Sequence, residues 1–214
     1  MNRCHHALAV AVLLALTACA RPVATVSEAV PAAAASTAES APADVFMERM
    51  RSLCGQAFAG RIVADQPAPA AGDPFAGQSL VMHVRECDGD TLRIPFHVGG
   101  DRSRTWVLSR TATGLRLKHD HRHDDGSEDV LTRYGGDTAD AGSAQRQTFP
   151  VDAESQALFS REGRSVSNRN VWAMEIVPGQ VFAYELSRPQ RLFRVEFDLS
   201  RPIQAPPPPW GHED

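Results

Sequence analysis

The 214-residue chain has no run of about 20 apolar residues, so it holds no stretch of the length a membrane-spanning helix needs. It also lacks any dense Lys/Arg run. With a formal charge of -4 and a pI near 6.1, it offers no electrostatic footprint for nucleic acid and no basic patch to hold an anionic bilayer. No Gly-X-Ser-X-Gly, phosphate-loop or dinucleotide pattern occurs, and no internal repeat is visible. These absences leave nucleophilic, nucleotide-dependent and solenoid readings without support. Cysteine is scarce, at four residues. What is present is ordinary globular material, 43% hydrophobic and 22% charged, long enough for one domain with appendages and a single good core.

The first residues, Met1-Asn2-Arg3-Cys4-His5-His6, precede a ten-residue apolar run from Ala7 to Leu16, then Thr17-Ala18-Cys19. A short positive start, a brief apolar core and small residues before a cleavage point make a secretory signal. Leu16-Thr17-Ala18-Cys19 resembles the bacterial lipobox. The resemblance implies cleavage before Cys19 and lipid on its sulfur and new amino group, and several acyl chains anchor stably where one is marginal. In a host with two membranes, Ala20, not Asp, after the cysteine further implies the outer membrane, with the domain facing the periplasm.

Removal of the signal discards Cys4 and lipidation uses Cys19, which leaves Cys54 and Cys87. Two remaining thiols in an exported domain are expected to form one disulfide, tying an N-terminal helix to the sheet; a redox-active or metal-binding pair would favour closer spacing. Residues 19 to 43 are Ala, Pro, Ser, Thr and Glu with little that is large and apolar, and read as a flexible tether. A helix follows over residues 44 to 55, with Asp44 as its cap, Phe46, Met50, Leu53 and Cys54 at helical spacing and Gly55 as its stop.

Ten segments with two-residue alternation come next, separated by Gly, Asp and Pro. They are 58–64, 79–87, 91–98, 104–110, 115–123, 130–134, 146–150, 171–177, 181–186 and 192–199. A second helix is expected at 152–162, capped by Asp152. Leu92, Ile94, Phe96 and Val98 form one clean apolar face, as do Phe193, Val195, Phe197 and Leu199. The fold class expected is therefore mainly β, an antiparallel meander of about 8–10 strands forming a barrel or closed sandwich within residues 44–203. This architecture is similar to the calycin barrels of the lipocalin and avidin type, although the lipocalin Gly-X-Trp signature is missing near the first strand. Residues 204–214, with Pro206-Pro207-Pro208-Pro209-Trp210, read as a polyproline tail that lies along the domain through Trp210 or hangs free.

The chemistry concentrates in Leu115-Arg116-Leu117-Lys118-His119-Asp120-His121-Arg122-His123. On a strand, Leu115, Leu117, His119, His121 and His123 share one face. If Asp125-Gly126 makes a two-residue turn, His123 meets Glu128, His121 meets Val130 and His119 meets Thr132. A four-residue turn shifts each pairing by two and keeps parity, so Val130, Thr132 and Tyr134 share the histidine face either way. Same-face neighbours stand about 6.5 to 7 Å apart, which puts His119 and His123 about 13 Å from each other. One metal cannot take all three. His119 with His121, or His121 with His123, could chelate Zn²⁺ if another strand supplied a third ligand, for which His83, His97, Glu128 and Asp129 are candidates. Otherwise the histidines form a polar rim, or a ligand site in which His119, His121, His123, Thr132 and Tyr134 stand over a floor of Leu115, Leu117 and Trp106. Tyr134-Gly135-Gly136-Asp137 reads as a strand end and turn, and Trp172, Phe182, Tyr184, Phe193 and Phe197 read as core.

The favoured reading is a non-enzymatic envelope lipoprotein, held to the membrane by lipid on Cys19, whose β domain binds a small molecule or an envelope protein. A metal-dependent enzyme using the histidine strand and a structural lipoprotein without a pocket are the alternatives.

Overall fold

The structure, a computed structural model, describes residues 40–212. The expected signal peptide, Cys19 and the tether as far as residue 39 lie outside the described residues. Helix α1 (Pro42–Arg51) begins two residues earlier than the cap reading suggested. Pro42 occupies the first turn, where its fixed φ suits a helix and its missing N–H costs nothing, and Asp44 pairs with Arg110 instead of capping. Phe46, Met47 and Met50 bury one face of α1 in the core. Just beyond, the Cys54–Cys87 disulfide joins the segment after α1 to the sheet, across a sequence separation of 33.

The chain then runs β1 (Ala57–Gln66), β2 (Leu80–His83), β3 (Glu86–Asp88), β4 (Thr91–Val98), β5 (Asp101–Arg110), β6 (Leu115–His121), β7 (Tyr134–Asp137) and β8 (Arg146–Pro150). Helix α2 (Ala153–Arg161) and a 3-10 helix (Ser165–Arg169) follow, then β9 (Val171–Val177), β10 (Val181–Arg188) and β11 (Arg191–Ile203). All pairings are antiparallel, in the order β7-β6-β5-β4-β2-β1-β11-β10-β9-β8, with β3 also on β4. The eleven strands make one nearly closed barrel. The stretch expected as one strand over 79–87 is two, because buried Val84 turns in and its N–H bonds Gln56 (3.0 Å) while the Arg85 N–H bonds Arg93 (3.1 Å).

The expected strand over 130–134 does not form; the chain from Arg122 to Arg133 is an excursion joined at its base by the Arg122–Glu128 bridge. The strand that pairs with β6 is instead the segment read as a turn, Tyr134-Gly135-Gly136-Asp137, with His119 opposite Tyr134 and Leu117 opposite Gly136. This is the frame of the longer turn. The two glycines are there because backbones meet: a Cβ on Gly136 would stand 1.8 Å from the Pro150 carbonyl oxygen, across the barrel seam.

At that seam β7 and β8 are the two sheet edges. They are joined by the Asp152 N–H donating to Gly135 O (2.9 Å) and by the Ser155 hydroxyl, which accepts from Gly135 N (2.8 Å) and donates to Gly135 O (3.2 Å). Asp152 caps α2 as expected, accepting from Ser155 N (2.8 Å), and also pairs with Lys118 (2.7 Å). A covered seam leaves little exposed edge for another chain to pair with.

The polyproline tail lies on the outside of the barrel. Arg102 donates to Pro208 O (2.9 Å) and its own carbonyl accepts from Trp210 N (3.1 Å), Arg85 donates to His212 O (2.6 Å), and His212 Nε2 reaches the Asp120 carboxylate (2.9 Å). On β4, His97 is 4% exposed, and its Nε2 finds no hydrogen-bond partner among the described residues.

Candidate functional site: an aromatic pocket at the barrel mouth

Strand alternation sends Trp106, His119, His121 and Tyr184 into the barrel, where with Tyr134 and Trp172 they wall a cavity of about 390 Å³. Trp106 lies opposite His119 and Arg104 opposite His121 in the β5–β6 register, so each imidazole is flanked by the residue its neighbour strand presents. The rings pack closely. Trp106 stacks on Tyr184 at 4.4 Å between centroids, and His119 stacks on Tyr134 at 4.7 Å.

His119 is fully engaged. A carbonyl can only accept, so the 3.1 Å contact to Tyr134 O fixes the proton on Nδ1, and the bare Nε2 then accepts from the Tyr184 hydroxyl at 2.7 Å. Burial, helped by the nearby His121, pushes the His119 pKa down to about 3, so it is neutral near pH 7. Burial and then the Arg104 charge push His121 down to about 4. Its Nε2 shares a 3.0 Å hydrogen bond with the Tyr134 hydroxyl, while Nδ1 has no partner among the described residues. Burial raises Tyr134 to about 12 and Tyr184 well above its ordinary value, so both hydroxyls stay protonated. The floor is a neutral hydrogen-bonding network with no fixed charge.

Charge sits at the rim. Arg104, Arg164, Arg188 and Arg191 line the cavity together with Asp73 and Asp129. The guanidinium of Arg104 lies 5.3 Å from the centre of the Phe75 ring, and that of Arg191 lies 5.6 Å from Phe193.

No family model, curated protein or solved structure matches the chain. What the site does has to be argued from its own atoms.

Of the five residues expected to bind ligand, His119, His121 and Tyr134 are brought together on the wall, and His123 and Thr132 are not. β6 ends at His121, which leaves His123 exposed on the excursion. Thr132 is used structurally: its hydroxyl accepts from His121 N (2.8 Å) and donates to Asp120 (3.3 Å). Val130 is 63% exposed, and Leu115 and Leu117 are core beneath the cavity rather than its floor. As for Zn²⁺, both nitrogens of His119 are already used, and no group of three or more His, Cys, Asp or Glu among the described residues is placed to hold a metal ion. Of the third-ligand candidates, His83 and His97 do not line the cavity. Glu128 pairs with Arg122 (3.3 Å), and only Asp129 lines the cavity.

Trp172, Phe182, Tyr184, Phe193 and Phe197, read as core, are all buried in it, and Trp172, Tyr184 and Phe193 also line the cavity. The rim arginines were missed. Their signal was parity: Arg188 continues the inward series Phe182, Tyr184, Leu186, and Arg191 that of Phe193, Val195, Phe197.

Proposed function

We propose that this chain is an exported lipoprotein whose β domain binds a small molecule in the barrel-mouth pocket. The observation that carries the reading is the cavity itself. About 390 Å³ walled by Trp106, Trp172, Tyr134 and Tyr184, with a neutral His119/His121 pair inside and charged side chains at the rim, is the composition of a small-molecule site. Its concave shape favours a small ligand over the flat epitope of a protein partner.

Export and anchoring rest on Leu16-Thr17-Ala18-Cys19 and agree with the Cys54–Cys87 bridge, which belongs in an oxidising compartment such as the periplasm. On this reading lipid on Cys19 holds the domain to the outer membrane. Cys19→Ala should then move the protein out of the membrane fraction; unchanged fractionation argues against the lipid anchor.

The pocket is tested by calorimetric titration with small aromatic compounds against the full-length chain and against Leu186→Trp, which fills the cavity from a strand position. At least one compound should bind the native chain saturably at one site, and binding should vanish in the filled variant while the fold is retained. Saturable binding that survives the filling places the ligand elsewhere and overturns the reading.

A further inference from the structure

The rim arginines are not equivalent, and the difference points to a ligand chemistry. Arg104 is paired with Asp101 at 2.6 Å. Arg191 is paired with Asp65 and donates to Leu192 O at 2.9 Å and Gln66 O at 3.2 Å. Arg164 and Arg188 have no carboxylate partner among the described residues, but Arg164 is exposed to water, whereas Arg188 is half-buried and its one hydrogen bond goes to the neutral Asn170 Oδ1, at 3.2 Å. Five N–H donors on a guanidinium leave most of its capacity unused.

The placement of Arg188 is costly. In the β10–β11 ladder it stands directly opposite Arg191, and like charges facing each other across a strand pair are destabilising. It is also half-buried, on the inward face, one step beyond Leu186. Burial and the Arg191 charge hold it below the ordinary guanidinium pKa, the mark of a cation without compensation. The cavity wall carries four arginines against two aspartates, although the whole chain is net -4. One oxygen of each aspartate is already occupied by backbone, Asp73 by Phe75 N (2.8 Å) and Asp129 by Leu131 N (2.7 Å).

We propose that the pocket takes an aromatic or otherwise flat apolar molecule bearing a carboxylate, with the ring against Trp106, Trp172 and Tyr184 and the carboxylate on Arg188. The proposal rests on the pocket reading and adds the ligand's charge and the group that reads it. A carboxylate matches the fork of a guanidinium and supplies the compensation that Arg188 lacks.

The test is a matched pair of probes, 1-naphthaleneacetate and 1-naphthaleneacetamide, titrated calorimetrically into the full-length chain. They differ in the charge of one group. The acetate should bind about tenfold or more tightly than the amide, the scale of a charge-assisted hydrogen-bond pair. Arg188→Met should remove that preference, weakening the acetate about tenfold and the amide less than twofold, and raising the salt should weaken the acetate alone. Equal affinity for the two probes, or an acetate preference that persists in Arg188→Met, overturns the carboxylate assignment and leaves the pocket standing. If neither probe binds at millimolar concentration, the pocket reading fails and the carboxylate assignment falls with it.

Discussion

Acidification should destabilise this domain well above the pH at which its carboxylates titrate. His119 is pushed down to about 3, and His97 and His121 to about 4, in each case chiefly by burial. In the unfolded chain an imidazole titrates near pH 6.5. Between that pH and the folded values the unfolded state binds more protons, so stability rises with pH and is lost as pH falls below about 6.5. From pH 8 to pH 5 each histidine removes about 2 kcal/mol, and the three together about 6 kcal/mol. His83, also lowered by burial, acts in the same direction. The acids do not confuse the window. Asp101, Asp120 and Asp152 keep low values although burial opposes it, because hydrogen bonds from Ser103 and Arg104, His212 and Arg122, and Lys118 and Ser155 outweigh it; their contribution is lost only below about pH 5. Urea unfolding followed by tryptophan fluorescence reads the effect. With a slope of about 2 kcal/mol per molar, the midpoint should fall by about 3 M between pH 8 and pH 5, and by about a third less in His97→Gln. A midpoint constant within about 0.5 M over that range would refute the reasoning, because three buried neutral imidazoles cannot be indifferent to it.

Three further outcomes follow from the geometry. Gly136→Ala pushes a Cβ to 1.8 Å from Pro150 O at the barrel seam and should cost about 1–3 kcal/mol, read as a lower melting temperature; an unchanged melting curve would mean that the seam yields freely. Replacing Cys54 and Cys87 together by Ala opens a loop closed over 33 residues and should cost about 3–4 kcal/mol in urea unfolding at pH 8, with added reductant reproducing the loss in the native chain. Tyr184→Phe removes the donor to His119 Nε2 and leaves a buried acceptor unpaired, for a cost of about 1–3 kcal/mol at pH 8; a cost under about 0.5 kcal/mol would show that the 2.7 Å bond is not what holds the imidazole.

The alternation of apolar side chains made the strands legible, since a period of two is written into the chain wherever one face is buried. β4, β8 and β9 begin and end where their patterns do. The pattern failed where backbone, not side chain, decides. Tyr134-Gly135-Gly136-Asp137 has no apolar alternation and reads as a turn, yet it is a strand because only glycine allows Leu117 O and Pro150 O to come so near. Conversely Val130 and Thr132 alternate like a strand but lie on an excursion held by the Arg122 and Arg133 contacts to Glu128. The site was half legible for the same reason. Parity gave His119, His121 and Tyr134 a common face, but nothing local announced that β10, some 65 residues further on, would bring Tyr184 to His119.

β6 also explains why a histidine-rich strand need not be a metal strand. Consecutive residues face opposite sides, so His119 and His121 look into the barrel while Asp120 between them looks out to His212 of the tail. On the inside, a neutral imidazole needs one donor and one acceptor, and two tyrosines provide them: the Tyr134 carbonyl and Tyr184 hydroxyl at His119, the Tyr134 hydroxyl at His121. That arrangement leaves His121 Nδ1 as the polar atom of the pair still without a partner among the described residues, in the same aromatic-walled cavity that Arg188 lines without a carboxylate partner. A ligand that offers His121 one hydrogen bond and Arg188 one negative charge would complete both, and neither demand requires a metal.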